Sequence, residues 1–234
     1  MREWGYDSVH ANIERNCRPG NEPMIVNATI AIIAAYLLGS IPFAYIAARL
    51  LKGTDIRQVG GGNLGALNTA REIGLVPGLL VLVADIAKGS LAVLIALWLD
   101  LPLILVFGAS FAAVVGHNWP VFLKFKGGKG AATTIGVLFA LVPLEFAISL
   151  ALILAIIVIT SNVRLAVVVG LAVLPLIIWQ INGSGMLISY AAAMFLFLCA
   201  RSLPSTKEAM ASAGRMKNLI FDRDYHFWQT RKSK

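Results

Sequence analysis

The 234-residue sequence has few charged side chains and very little cysteine. Asp, Glu, Lys and Arg make up 14% of it, against about a quarter in a typical soluble domain. Hydrophobic residues make up 58%, which exceeds what one buried core absorbs. Cys17 and Cys199 lie far apart, one in a polar stretch and one in an apolar run, so neither a disulfide framework nor a metal site is indicated. The composition favours one membrane domain, and we expect no metal and no cofactor.

Residues 1–23 are polar and lack the apolar stretch of a signal peptide. They are either a leader or, because Met24 stands directly before the first apolar run, the result of a misassigned start codon. Residues 24–200 form the predicted membrane domain, and residues 201–234 form a basic tail.

Apolar runs predict about seven membrane segments, at 25–51, 75–99, 103–116, 131–142, 144–160, 165–181 and 186–200. The runs are continuous rather than alternating, so the predicted fold class is all-α, a polytopic helical bundle in the lipid bilayer. Residues 131–160 are interpreted as two short spans, because one long span would separate the basic tail from the other basic loops. The net charge of +8 collects in those loops and in the tail, so no nucleic-acid partner is expected.

The first informative stretch joins residues 39–43 to residues 55–71 and is rich in glycine, asparagine and arginine. Glycines let backbone N–H groups converge on an anion, and arginines add charge-assisted bonds to phosphate. The predicted phosphate ligands here are Ser40, Arg57, Gly60, Gly61, Gly62, Asn63, Gly65, Asn68 and Arg71. A plain turn between helices remains the open alternative.

The same glycines also have the spacing of a dinucleotide fingerprint. No strand precedes them, and Asp85, at the matching acidic position, falls in an apolar run. The context therefore disfavours a Rossmann domain.

The second stretch, residues 116–134, surrounds Lys129 with Gly127, Gly128 and Gly130 just before a predicted helix. It is not a Walker A loop, because Gly130 follows the lysine where that motif has Ser or Thr. The glycines predict a second anion nest around Lys129. For Lys124 and Lys126, phosphate binding and a positive-inside membrane anchor remain equally open.

Few titratable side chains accompany these loops. His117 is either the general base that activates a hydroxyl or a packing residue. Asp85 and Lys88 lie three residues apart on one helical face, so they form either a structural ion pair or a substrate contact. In the tail, Asn218 is a further predicted phosphate ligand, and Arg215 is the other residue singled out.

The two stretches resemble the bacterial acyl-phosphate:glycerol-3-phosphate acyltransferase family. The resemblance covers most of residues 24–134 and is weaker in the later spans. It implies seven spans and an active site at the cytoplasmic face of the cell membrane. The implied reaction moves a fatty acyl group from acyl phosphate to glycerol 3-phosphate, giving 1-acyl-glycerol 3-phosphate and phosphate.

By similarity, the cradle for acyl phosphate corresponds to Gly60, Gly62, Asn63 and Gly65. Arg71 and Lys129 match positions linked to substrate phosphate. The chain departs from the family at Gly61, where serine is usual, and in the tail, where Arg215 and Asn218 only loosely match a histidine and an asparagine.

The catalytic candidates are Asn63, Arg71, His117 and Lys129. No serine or cysteine nucleophile with an adjacent base is evident, which suits direct transfer from an activated donor. Two other classes remain open: a transporter of an anionic metabolite, for which no convincing inverted repeat is found, and a non-catalytic scaffold.

Overall fold

The computed structural model describes residues 22–213, with side chains from residue 24 to residue 202. In that range every regular element is a helix, which confirms the predicted all-α class. The chain divides into two compact units, and the second begins at Val142. Arg215 and Asn218 of the tail, and residues 1–21 of the polar leader, lie outside the described residues.

The helices follow the predicted apolar runs. The first unit contains α1 (Glu22–Ser40), α2 (Phe43–Lys52), α3 (Ala66–Glu72), α4 (Leu75–Trp98), α5 (Leu103–Asn118) and α6 (Ala131–Leu141), with single 3-10 turns at Ile56–Gln58 and Val121–Leu123. The second unit contains α7 (Pro143–Thr160), α8 (Val163–Ile181) and α9 (Gly185–Ala213).

Six helical stretches of the described chain are long and apolar enough to cross a membrane, with α1 and α2 counted together as Met24–Lys52. The remaining apolar helix, α6, has 11 residues. At about 1.5 Å per residue it spans roughly half of the hydrocarbon core. The prediction of about seven membrane segments is confirmed, with α6 as a short segment.

The outward-facing side chains of these helices are apolar. Leu80 is 65% exposed, Trp98 81% and Val158 83%. A surface of this kind is stable against lipid, and helices satisfy their own backbone hydrogen bonds there. The chain is therefore a polytopic membrane bundle, as predicted.

Two prolines set helix boundaries. The run 25–51 is broken between Ser40 and Phe43, because Pro42 has no N–H and its ring disfavours helical geometry at Ile41. The stretch 131–160 is two helices, as predicted, and Pro143 occupies the first turn of α7, where a missing N–H is harmless.

Small residues let the helices of the first unit approach closely. A methyl group at Gly39 would overlap the Ala113 carbonyl, and one at Gly116 would overlap the Tyr36 carbonyl, so α1 and α5 touch backbone to backbone. Gly89 and Gly136 play the same part between α4 and α6. Without water to drive helices together, such close packing is a main source of stability in lipid.

The second unit is joined by similar contacts. Ser149 Oγ donates to the Gly170 carbonyl at 2.9 Å, which links α7 to α8. Asn162 caps α8 by accepting a hydrogen bond from the Leu165 N–H at 3.1 Å. Ser161, with φ of 54°, ends α7 in the left-handed conformation.

We predict that Gly136→Ala destabilises the fold, because its methyl group would overlap the Ile86 carbonyl of α4. The expected loss is about 1–3 kcal/mol in the free energy of unfolding, measured by SDS titration in mixed micelles. Gly108→Ala is the matched control, since its nearest neighbour would be Ile32 Cδ1 at 3.9 Å. Equal stability of the two variants would contradict the packing account.

Candidate active site

Both glycine-rich stretches are anchored in one small apolar core of the first unit. Its buried members are Ala44, Ala48, Ile56, Leu64, Val81 and Leu123. Ile56 and Leu64 belong to the first stretch and Leu123 to the second, so removing their side chains from water fixes the two loops beside each other. Both stretches are predicted from sequence to bind phosphate, and the fold brings them together.

A small cavity lies where these loops meet the break between α1 and α2. It is lined by residues that include Ser40, Pro42, Leu64, Asp85, Lys88, His117 and Gly127. Ser40 is fully buried at the end of α1, and its Oγ donates to the Tyr36 carbonyl at 2.8 Å. Of the predicted site residues, the fold therefore assembles Ser40, His117 and Gly127 around one cavity.

Three titratable side chains are packed together at this cavity. Lys88 Nζ lies 2.8 Å from Asp85 Oδ1, and His117 Nδ1 lies 3.5 Å from the same oxygen. Lys88 Nζ also donates to the Ile41 carbonyl at 3.1 Å. All three side chains are at most 7% exposed. The predicted pairing of Asp85 with Lys88 is present, and His117 joins it as a third member.

The first glycine loop is held in shape by Asn68. Its side-chain amide donates to the carbonyls of Ile56 and Val59, each at 3.2 Å, and its Oδ1 accepts the Gly61 N–H at 3.0 Å. Asn68 is buried, so its polar atoms serve the loop backbone. A direct contact with phosphate stays a prediction for this residue.

Three N–H groups predicted to face an anion are used inside the loop. Gly61 donates to Asn68, Gly62 donates to the Val59 carbonyl at 3.1 Å, and Gly65 donates to the Asn63 carbonyl at 3.0 Å. Gly60 and Gly62 have φ of 58° and 65°, a conformation that favours glycine. The glycines thus shape a tight loop, and their role as phosphate donors stays a prediction.

The second glycine loop folds back onto the end of α5. The Gly128 N–H donates to the His117 carbonyl at 3.1 Å, and Gly130, with φ of 84°, lies against Asn118. A methyl group at Gly128 would overlap both His117 Nε2 and the Leu64 carbonyl. Gly128 is therefore the point at which the second loop, the first loop and His117 are in contact.

A more open cavity of about 330 Å³ lies between the two loops. It is lined by Asp55, Arg57, Gln58, Leu123, Lys124 and Lys126. Three of these side chains are cationic and one is acidic, so the cavity favours an anion.

Arg57 is held in place at the wall of this cavity. Its Nη2 lies 2.6 Å from Asp55 Oδ2, and its guanidinium carbon lies 5.4 Å from the centroid of the Tyr45 ring. The hydrogen bond from Arg57 lowers the pKa of Asp55 to about 2. Asp55 in turn raises the pKa of Arg57, so the pair stays ionised at neutral pH.

The other predicted residues differ in their relation to these cavities. Lys126 lines the open cavity, whereas neither cavity is lined by Arg71 or Lys129. Arg71 is exposed at the end of α3, and Lys129 and Asn63 are half-buried. Asn218 lies outside the described residues. In the described part of the chain, no group of three or more His, Cys, Asp or Glu residues is placed to hold a metal ion.

Asp85 and Lys88 are not among the predicted site residues, because the sequence leaves an ion pair and a substrate contact both open. The available signal was a pair of charges inside an apolar run, which in membranes usually marks a functional position. The contact between Asp85 and His117 depends on how α4 packs against α5.

We predict that Gly128→Ala destabilises the protein, because the methyl group pushes the second loop away from His117 and Leu64. The expected loss is about 1–3 kcal/mol in the free energy of unfolding. Gly61→Ala is the matched control: its Cβ would lie 4.0 Å from Asn68 Oδ1, and the change should stay within about 0.5 kcal/mol. Thermal unfolding in detergent measures both, and a Gly128 variant as stable as the Gly61 variant would refute the loop contact.

Comparisons with known proteins identify the family. The sequence pattern of the glycerol-3-phosphate acyltransferases matches residues 29–211. A glycerol-3-phosphate acyltransferase 1 from Dehalococcoides mccartyi is 39% identical over 201 residues, which cover 82% of this chain and 96% of that protein. A glycerol-3-phosphate acyltransferase 2 from Moorella thermoacetica is 46% identical over 149 residues, covering 64% of this chain and 76% of the relative.

The fold also matches solved structures. The crystal structure of PlsY (YgiH), an integral membrane glycerol 3-phosphate acyltransferase, in its glycerol 3-phosphate form gives a TM-score of 0.73 at 34% identity, covering 79% of this chain and 92% of that one. The lysophosphatidic acid form gives 0.71 at 33% identity. The chain therefore belongs to the glycerol-3-phosphate acyltransferase family of the PlsY type.

Proposed function

We propose that this protein transfers a fatty acyl group from acyl phosphate to glycerol 3-phosphate, producing 1-acyl-glycerol 3-phosphate and phosphate for phospholipid synthesis. The observation that carries the proposal is the meeting of two glycine loops beside a cationic cavity, in a chain of this family. The PlsY structures were solved in glycerol 3-phosphate and lysophosphatidic acid forms, which supports this acceptor and this product. Acyl phosphate as the donor is our inference from the family resemblance and from the cationic cavity, which suits a phosphate group.

The open cavity suits the phosphate group of an anionic substrate. Arg57 and Lys126 supply positive charge at its wall, and the pairing with Asp55 fixes the direction of the guanidinium group. An anchored arginine loses less conformational entropy when it binds. Arg71 and Lys129, from the same two glycine-rich stretches, remain the predicted ligands of substrate phosphate, although neither lines this cavity.

The reaction needs no covalent enzyme intermediate. The C1 hydroxyl oxygen of glycerol 3-phosphate attacks the acyl carbonyl carbon, and an ester bond forms. The bond from that carbon to the phosphate oxygen breaks, and its electron pair leaves with phosphate. The hydroxyl proton passes either to His117 Nε2 or to a phosphate oxygen of the donor. The enzyme orients both substrates and stabilises the departing phosphate.

The purified protein in detergent should release phosphate when acyl phosphate and glycerol 3-phosphate are both present. Lys129→Ala should lower the rate about 100-fold or more, as removal of a donor to developing negative charge does. Arg164→Ala, an exposed cation of the second unit, is the control and should keep the wild-type rate.

In the same assay, His117→Ala tests whether His117 is the general base. Near-normal turnover of this variant would mean that a phosphate oxygen of the donor accepts the hydroxyl proton. Absence of phosphate release from the wild type, under conditions in which a related enzyme works, would remove the acyl-transfer proposal. Binding of glycerol 3-phosphate without release would instead favour a non-catalytic scaffold.

As part of the same proposal, the protein lies in the bacterial cytoplasmic membrane with both glycine loops facing the cytoplasm. The support is the concentration of Lys and Arg in these loops, while the turn at residues 99–102 carries neither.

Cysteine labelling tests this orientation in a background with Cys17 and Cys199 replaced by serine. In intact cells, an impermeant maleimide should label Asp100→Cys in the outer turn and leave Gln58→Cys unlabelled until the cells are opened. Labelling of Gln58→Cys in intact cells would invert the topology.

A further inference from the structure

Asp85 and Lys88 make contacts that a simple ion pair on one helix does not need. They already neutralise each other at 2.8 Å within α4. Each partner nevertheless reaches outside its own helix, Lys88 to the break between α1 and α2 and Asp85 to the end of α5. These are the two places from which the cavity residues Ser40 and His117 project.

Lys88 fixes the break between α1 and α2. Its Nζ donates to the carbonyl of Ile41, 47 residues earlier in the chain. Ile41 lies between Ser40, which lines the cavity, and Pro42, which interrupts the helix. The Phe43 ring covers the Lys88 amine at 5.7 Å, so the cation is directed to this carbonyl instead of to solvent. The hydrogen bond satisfies a backbone group that the broken helix leaves in an apolar environment.

Asp85 orients the imidazole ring of His117. Its Oδ1 lies 3.5 Å from Nδ1, a distance of electrostatic contact, and the opposite nitrogen, Nε2, lies on the side of the second glycine loop. Nε2 lies so close to Gly128 that a methyl group there would overlap it. We infer that the carboxylate sets the direction of the ring and thereby its contact with Gly128 of the second loop.

Both charges of the pair lie at the wall of the small cavity and are almost fully buried. The Lys88 side chain is 2% exposed and that of Asp85 is 3%. Both reach the cavity only at its wall, where the Ile41 carbonyl and the His117 ring stand in contact with them. The contacts through which they reach the cavity residues are those with the Ile41 carbonyl and the His117 ring.

We propose that Asp85 and Lys88 are positioning residues for acyl transfer, with Lys88 holding the Ile41 carbonyl beside Ser40 and Asp85 holding His117 against the Gly128 loop. This inference rests on the proposed acyl-transfer function. A displacement of about 1 Å at a reacting group lowers turnover roughly 100-fold, so loss of the pair acts on kcat. Substrate binding depends on other groups, so KM changes little.

The test replaces both charges by apolar side chains of similar size, as Asp85→Leu with Lys88→Met. Removing one partner alone would leave an uncompensated buried charge, whereas removing both is usually tolerated by the fold. We expect the double variant to purify as a folded, monodisperse protein that is destabilised, with a melting temperature several degrees below that of the wild type, because the Ile41 carbonyl loses its donor. Its kcat for phosphate release should fall about 100-fold, with the KM for glycerol 3-phosphate changed less than about threefold.

Two further variants separate positioning from plain stability. Lys88→Arg keeps a cation and a donor and should recover at least about tenfold of the lost kcat. Ser90→Ala removes a buried hydrogen bond from the same helix, where Ser90 Oγ donates to the Gly136 carbonyl at 2.8 Å. This control should keep the wild-type kcat per folded molecule. A double variant with wild-type kcat, or a loss explained entirely by a smaller folded fraction, would overturn the inference.

Amide hydrogen exchange on the full-length protein tests, independently of activity, whether Asp85 and Lys88 hold these two segments in place. In the double variant, exchange of the Ile41 and Phe43 amides and of the amides of residues 127–130 should rise about tenfold or more, while the Ser90 control stays at the wild-type rate. Unchanged exchange in both segments overturns the inference whatever the activity. If the double variant cannot be recovered, Asp85→Asn and Lys88→Arg are compared by the same two measurements. A wild type that releases no phosphate, together with raised exchange in the variant, would reject the acyl-transfer function and support the positioning role.

Discussion

The bilayer interior offers no water to polar groups, and this constraint organises the whole first unit. A broken helix, a charged side chain and a polar loop are tolerated at membrane depth only where other protein groups satisfy them. The Ile41 carbonyl accepts a hydrogen bond from Lys88, Lys88 forms an ion pair with Asp85, and Asp85 contacts His117. These contacts connect the break between α1 and α2, and the end of α5, to α4.

Glycine makes such proximity possible and is used here in two ways. Gly39, Gly89 and Gly136 carry no side chain because a neighbouring backbone lies where Cβ would be. Gly60 and Gly62 instead adopt positive φ, which closes the first loop tightly around Asn68. The first use brings helices together and the second shapes a loop, and the candidate site depends on both.

The helical architecture could be predicted from sequence because its causes are local. Continuous apolar runs require helices, and Pro143 with its neighbours indicated the turn that divides residues 131–160. The site was only partly predictable. Gly127 and Gly128 were selected by composition, but their contacts with His117 depend on the chain returning to the end of α5. Lys88 meets Ile41 across 47 residues, and nothing in either local sequence encodes that meeting.

Gly61 stands where serine is usual in the family, and the geometry of the first loop shows what this difference changes. The side of residue 61 where Cβ would point is open, and what fixes this residue is its N–H, which every residue except proline supplies to Asn68 Oδ1. The conformation of the first loop therefore does not depend on which side chain stands at this position. A serine hydroxyl there would act only by touching a ligand directly. The loop that Asn68, Gly60 and Gly62 build is complete without it, so replacing serine by glycine alters at most one contact and leaves the frame of the site intact.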